Sequence, residues 1–438
     1  MPMASQSAEV RIAWDATVVR PPLSGVHLSV QAELLAMLGM PAAAGGVLLS
    51  LCPQLRQRAV ETGMVVPALP KRIQGVAARI LWQQLQLPKL LRAQQAVVLH
   101  ATAYTAPLRS PVPVVLNVHD IIALEHPELC SRLNVWHMRL LLARSIRRAA
   151  LNVTTTQHVA DRVQAVLDIP ADRIEVVPLG VDAARFAGER ADSTDTRPYL
   201  LFVGNLEPKK GLPVLLDAYA RVAGALGIDL VLAGRPGWRC DDLMDRLRGW
   251  CGAGRVVLAG RVSDDKLCCL YQNAWAFAFP SVCEGFGMPV LEAMAAGTPV
   301  LHSDHAAVLE VAGGAGMAVP VGDAEALAQA LRRLHASPDL RRELVAAGRE
   351  RAGELSWERR AAGVLELLHA TAKAMFWSTL LHHGARPLLP ALRHAVTTTA
   401  ASGSTEPSGT AETAVCRYHG DGGSADSEYG SCGNQYFC

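Results

Sequence analysis

Short, nearly continuous runs of Val, Leu and Ile recur along this chain, each followed by a stretch whose apolar residues repeat at helical spacing. In the amino-terminal half the runs fall at 11–15, 46–51, 96–100, 112–118, 151–154 and 174–178, with a helix expected over 26–38. A second series occupies 199–203, 229–233, 256–258, 276–279 and 299–301, with helices expected at 213–226, 243–250, 264–272 and 289–296. Strands buried on both faces read this way, and an intervening helix returns the chain to a parallel neighbour. Between the series lies Gly188-Glu-Arg-Ala-Asp-Ser-Thr-Asp-Thr-Arg-Pro198, which has the composition of a linker.

At 438 residues the chain is too long for one core. The fold class is α/β: two successive doubly wound domains, 1–187 and 199–354, joined by the linker 188–198, with strand ends facing a central cleft. Further helices are expected at 324–336 and 340–352, and from Ser356, placed as an N-cap, to about 374. Residues 355–396, opened by the last of these, are read as crossover and terminal helices, and 397–438, rich in Ser, Thr, Gly, Asp and Glu, as a disordered tail carrying Cys416, Cys432 and Cys438.

A net charge of +2 gives no reason to expect nucleic acid as a partner. The charge is unevenly spread, however. No acidic residue occurs from Thr62 to His119, where Lys71, Arg72, Arg79, Lys89, Arg92 and Arg109 lie, and Arg139, Arg144, Arg147 and Arg148 follow. Basic, Leu-rich helices of this kind lie against anionic headgroups, steer anionic substrates, or are simply solvated. The ten cysteines include no Cys-x-x-Cys pair, residues 1–10 do not read as a signal peptide, and no run is long and apolar enough to span a bilayer. A cytoplasmic location, with peripheral contact at the inner membrane face left open, is the expectation.

Two segments carry chemistry. In Phe202-Val-Gly204-Asn205-Leu-Glu207-Pro-Lys209-Lys210-Gly211-Leu-Pro213 a strand ends in glycine, which lets backbone approach a bulky anion, and two lysines supply countercharge to a diphosphate. In Glu284-Gly285-Phe286-Gly287-Met288-Pro289-Val290-Leu291-Glu292 a Gly-x-Gly turn opens a helix. The N–H groups from Gly287 to Leu291 are expected to face a phosphate, and both carboxylates can accept hydrogen bonds from ligand hydroxyls.

The eight-residue spacing of Glu284 and Glu292 resembles the Glu-x7-Glu motif of retaining GT-B glycosyltransferases of family 4, and the resemblance extends from about Arg11 to Ala374. It implies two Rossmann-like domains, with the helix opening at Trp357 crossing back to the first. It further implies that Glu292 holds the donor ribose, that Glu284 with the backbone at Phe286 and Gly287 holds the transferred sugar, and that Lys210 and Gly204 serve the diphosphate. Gly260-Arg261-Val262 resembles the loop framing the nucleobase. His119-Asp120, ending a strand, resembles the family's His-Asp beside the transferred sugar, and Gly25 the glycine loop beneath the donor phosphates. Two departures stand out. Asn205 replaces a common Arg, and Gly25-Val-His27-Leu lacks the second glycine of that loop. The form Gly-x-Leu-Glu-Pro-Lys-Lys is similar to bacterial mannosyltransferases that use GDP-mannose in polysaccharide assembly.

No Asp-x-Asp pair is present, so no metal is expected. Charge on the departing diphosphate falls to Lys210, Lys209 and the helix end at Met288, Val290 and Leu291. The expected activity is retaining, metal-independent transfer of a hexose, mannose favoured, from a nucleotide diphosphate sugar, without a further cofactor, to a glycan or lipid-linked glycan. His119, Asp120, Glu284 and Lys210 are the expected catalytic residues. A non-catalytic nucleotide-sugar-binding protein and a GT-B phosphorylase or epimerase are the alternatives.

Overall fold

A computed structural model describes residues 10–20, 25–130, 135–136, 138–188, 197–237 and 239–380. The tail expected from 397, most of the linker, the proline loop at 21–24 and the chain beyond 380 lie outside the described residues.

The first sheet holds β1 (Ile12–Asp15), β2 (Val47–Leu49), β3 (Val98–Ala101), β4 (Val114–Val118), β5 (Leu151–Thr154) and β6 (Ile174–Val176), in the order β2-β1-β3-β4-β5-β6. The second holds β7 (Tyr199–Val203), β8 (Asp229–Ala233), β9 (Val256–Gly260), β10 (Ala276–Phe279), β11 (Val300–Ser303) and β12 (Met317–Val319), in the order β12-β11-β10-β7-β8-β9. Every pairing between these strands is parallel. Each sheet therefore reverses its direction of growth once, between β1 and β3 and between β7 and β10. Helices leave a crevice beyond the strand ends at such a reversal, where ligands bind. The expected doubly wound α/β architecture is present; β12, too short to stand out as a run, is an addition to it.

Neighbouring residues on each strand serve opposite cores. Ile12 and Trp14 of β1 and Val98 of β3 join one apolar cluster, while Ala13 and Leu99 join the other. In the second sheet Leu200 and Phe202 face one way and Leu201 the other. The first of these clusters is closed by the helix Gly25–Leu38 together with the helix Trp357–Leu380 from the far end of the chain. Ala361, Val364, Leu365, Leu368 and Ala372 supply its buried stripe at helical spacing. Ser356 caps that helix, its Oγ accepting from Arg359 N at 3.3 Å.

A polar lock sits inside this apolar contact. Arg360 donates from Nε to Glu33 at 2.9 Å and from a terminal nitrogen to the Val177 carbonyl, and both charged side chains are almost wholly buried. Asn117 donates to both Glu33 oxygens, at 3.1 and 3.2 Å, and accepts from His100 Nε2 at 3.1 Å. Burial alone would raise the Glu33 carboxyl, but Arg360, His100 and Asn117 hold it below its usual range. The chain links between domains meet at Gly180, where a Cβ would collide with the backbone of Ser356 and Trp357, and Val181 N donates to Leu355 O at 2.9 Å.

Arg79, grouped by sequence with the basic surface, is buried at 7% exposure. Burial lowers its pKa against the opposing effect of the Asp15 carboxylate. Lys71, Arg72, Lys89, Arg92, Arg109, Arg139, Arg144, Arg147 and Arg148 are exposed.

Arg360→Ala strands the Glu33 charge in the core and should cost about 3–5 kcal/mol in urea unfolding. Glu33→Leu combined with Arg360→Met should recover part of that loss. Because the Glu33 pKa is depressed in the fold, its contribution is complete above the unfolded carboxyl pKa and lost as pH falls through the folded one. The wild type should therefore lose more stability on acidification than the double variant.

Candidate active site

The second sheet builds its half of the site at the reversal between β7 and β10. β7 ends in Gly204 at φ +149°, and a Cβ on Gly234, after β8, would collide with the Gly204 carbonyl. Gly211, left-handed at φ +66°, opens the helix Leu212–Leu226, and a side chain there would strike the carbonyl of Pro280 just beyond β10. Val282 N donates to Lys209 O at 2.8 Å. The loops after β7 and β10 are thus clipped together, which brings their charged side chains into one place.

Lys210 Nζ donates to Glu284 Oε1 at 2.5 Å and stands 5.3 Å from the Phe279 ring centroid. Burial pushes the Glu284 carboxyl up, but Lys210 and Lys209 together hold it below the usual carboxylate range. Burial likewise works against charge on Lys209, yet Glu284, Asp120 and Glu207 raise its pKa above the ordinary lysine value. Lys209 is held as a cation here. Asn205, where the family often carries Arg, turns its amide to Glu207 Oε1 at 3.4 Å.

The turn after Glu284 reaches Gly287 at φ +112°, and the helix Met288–Ala295 follows. The row of outward N–H groups is shorter than the sequence predicts for Gly287 to Leu291. Pro289 has none, and Val290 N donates to Gly287 O at 2.9 Å, so Gly287 and Met288 are the donors this helix end offers an anion. Leu291 is fully buried in the core. Glu292 is half-buried, accepts from the Tyr271 hydroxyl at 2.8 Å, and is pushed above its usual pKa by that burial. Arg261 and Val262 follow Gly260, whose carbonyl accepts from Gly234 N at 2.9 Å; Arg261 is exposed and Val262 packs partly into the core.

The first domain meets this turn directly. A Cβ on Gly285 would collide with the His119 carbonyl and come within 2.8 Å of Asp120 Cβ, so only glycine fits. Thr155 and Thr156 donate their hydroxyls to the Gly285 carbonyl at 3.0 and 3.1 Å. Asp120 is oriented by the Tyr104 hydroxyl, 2.6 Å from Oδ2, and by Ile122 N, 3.1 Å from Oδ1. His119 is buried, with Nε2 3.2 Å from the Thr102 carbonyl. A carbonyl only accepts, so Nε2 carries the proton and Nδ1 the lone pair; burial lowers this histidine's pKa and favours the neutral ring.

His119, Asp120, Lys209, Lys210, Glu284, Gly285, Phe286 and Gly287 are therefore gathered around one contact between the domains. Gly25 is the first residue of its helix rather than part of a preceding loop, with open space where a side chain would stand. Tyr104 and Tyr271, which orient two site carboxylates, were not among the residues read from sequence. Tyr104 is also left-handed at φ +55°, a strained backbone for an aromatic residue.

Residues 44–185 match the profile described as glycosyltransferase family 4, and residues 197–337 the one described as glycosyl transferases group 1. The chain is 30% identical over 254 residues to O-antigen chain mannosyltransferase B of Escherichia coli, covering 56% of this chain and 67% of that protein. It is 34% identical over 226 residues to the phosphatidyl-myo-inositol mannosyltransferase of Mycobacterium leprae, covering 48% and 59%. The chain spans between 43% and 73% of the length of the curated relatives it matches. Among solved structures, Anabaena HepE in complex with UDP and glucose superposes with a TM-score of 0.64 at 17% identity, over 82% of this chain and 100% of that one, a likeness of fold.

Gly285→Ala should leave the melting temperature within a few degrees, because the two domains can part to relieve the clash. Nucleoside diphosphate binding to the second domain should change less than threefold, while sugar transfer falls about 100-fold or more, as expected when reacting groups are held an ångström out of place. Titration calorimetry alongside a transfer assay would separate these effects.

Proposed function

Because the chain belongs to glycosyltransferase family 4, we propose that it moves a mannosyl residue from GDP-mannose, with retention and without a metal, to a glycan or lipid-linked glycan acceptor. That it is a glycosyltransferase follows from the family. Mannose is supported by the names of the relatives, O-antigen chain and phosphatidyl-myo-inositol mannosyltransferases. The observation that carries the site assignment is the Lys210–Glu284 pair, seated on a turn that packs against His119 and Asp120.

In this reading the donor diphosphate takes over from Glu284 as the partner of Lys210. Lys209 and the N–H groups of Gly287 and Met288 share the charge that grows on the leaving group. Glu284 is then released to accept from hydroxyls of the transferred sugar, and Glu292 accepts from the ribose. Asp120 and His119 line the side from which the acceptor enters. The acceptor hydroxyl attacks on the face the diphosphate leaves and passes its proton to a departing phosphate oxygen. Retention then needs no carboxylate nucleophile.

Lys210→Ala should lower transfer about 100- to 1,000-fold, the usual effect of removing one stabiliser of a developing anion. Glu284→Gln should act in the same direction. Melting-temperature shifts with GDP, UDP and ADP sugars identify the base, since a ligand at 100 times its Kd adds about 2.7 kcal/mol of stability. Proton NMR of the product reports the anomer. Full turnover by both variants would overturn the site assignment.

The first domain also exposes apolar side chains on a helix with basic residues before and after it, and we propose that this region rests on an anionic lipid surface. Val76, Leu81 and Leu85 of the helix Val76–Leu85 are 51%, 60% and 56% exposed, and exposed Lys71, Arg72, Lys89 and Arg92 flank them along the chain. Among the described residues no helix is long and apolar enough to cross a membrane. Leu81→Glu with Leu85→Glu should abolish cosedimentation with phosphatidylglycerol vesicles at about 0.1 M salt, while transfer to a water-soluble acceptor is unchanged.

A further inference from the structure

The nucleoside end of the candidate site holds an arrangement that the roles above do not use. Tyr271, on the helix Asp264–Asn273, is wholly buried, and it donates to Glu292 Oε2 at 2.8 Å. Among the described residues it is the one hydrogen-bond donor to that carboxylate, so Oε1 is left for a ligand. The ring is immobilised on two sides. Phe186 meets it edge-on at 5.7 Å between centroids, and Phe277 of β10 at 5.5 Å. Thr298 Oγ1 donates to the Tyr271 carbonyl at 2.5 Å and fixes the backbone that carries the ring.

Phe186 extends this framework to the other end of the nucleoside. It is buried in the core of the second domain, although it precedes the linker in sequence. Its neighbour Arg185 pairs with Asp264 at 3.1 Å, two residues beyond Val262 in the loop assigned to the base. Asp264, Arg185, Phe186, Tyr271 and Glu292 therefore form one continuous series, from the loop beside the base to the carboxylate beside the ribose.

We propose that Tyr271 is a positioning residue: by holding Oε2 of Glu292 it aims Oε1 at the ribose hydroxyls and sets the enzyme's preference for ribonucleotide over deoxyribonucleotide donors. This rests on the reading of Glu292 as the ribose ligand. Without the phenolic hydroxyl the carboxylate keeps no hydrogen-bond donor among the described residues and is free to rotate. A rotating acceptor meets a vicinal diol in fewer of its orientations. Glu292 then ceases to distinguish a sugar with hydroxyls from one without, whereas contacts to the base and diphosphate are untouched.

The test uses the full chain, with GDP and 2′,3′-dideoxy-GDP as probes and the UDP and ADP pairs in parallel, so that whichever base the protein binds is covered. Kd is measured for wild type, Tyr271→Phe and Glu292→Gln, with a melting curve for each. Tyr271→Phe removes one oxygen and keeps the packed ring. Wild type should prefer the ribonucleotide about tenfold or more, the range of a hydrogen bond to a charged group. Tyr271→Phe should shrink that ratio at least fivefold while dideoxynucleotide affinity stays within twofold.

An unchanged ratio in Tyr271→Phe, with the ratio lost in Glu292→Gln, would overturn the role of Tyr271 and leave Glu292 as the ribose ligand. Parallel loss of both nucleotides in Tyr271→Phe would make the tyrosine merely structural and overturn the proposal. No ratio in the wild type would overturn the reading of Glu292, and the proposal with it.

Discussion

Arg360 and Glu33 stand 327 residues apart in sequence, yet their side chains meet where water is excluded. A guanidinium and a carboxylate survive there because each answers the other's charge and because Asn117, itself held by His100, bonds Glu33 while the Val177 carbonyl accepts from Arg360. An ion pair of this kind adds little over a well-packed apolar contact, but it tolerates no substitute geometry. It specifies that the last described helix lies on the first domain, beside the helix Gly25–Leu38, and in one register. The path of the chain back across the molecule follows from that, and so does the crossing at Gly180. With it comes a face of the second domain turned toward the strand ends of the first.

The geometry of the candidate site depends on a second economy of space. Gly285 has no side chain because the His119 carbonyl and Asp120 occupy the place where one would be. The turn after Glu284 and the end of β4 therefore share a wall instead of facing each other across solvent. Charges are arranged to match. Lys209 and Lys210 sit among Glu207, Glu284 and Asp120, so carboxylates already stand in for part of the water these cations would otherwise hold.

Much of this is legible in the sequence, for identifiable reasons. Parallel strands covered on both sides must be apolar throughout, so 151–154, 199–203, 229–233 and 276–279 read directly as β5, β7, β8 and β10. Glycines beside a Glu-x7-Glu spacing are rarer than any single residue, and they point to the turn that the fold sets against His119. The lock is not legible. Glu33 and Arg360 look like ordinary polar faces of helices, and nothing local says that they meet. Arg79 has the same ambiguity, as a basic residue among basic residues that turns inward. The N–H count at Met288 fails for a geometric reason, since the first turn closes on Gly287 and consumes a donor. Tyr104 and Tyr271 escape notice because a tyrosine that aims a carboxylate has no sequence spacing of its own.

The crossing of the two interdomain links has a mechanical meaning. Gly180 and Ser356 touch, and Val181 is bonded to Leu355, so both tethers pass through nearly one point. Rotation about that point can separate Gly285 from His119 while leaving the tethers at rest, much as scissor blades part around a rivet. Sliding of one domain along the other would instead have to tear the rivet out. A two-domain chain built this way has a single pivot, so any return from a parted arrangement brings the same atoms to the same places.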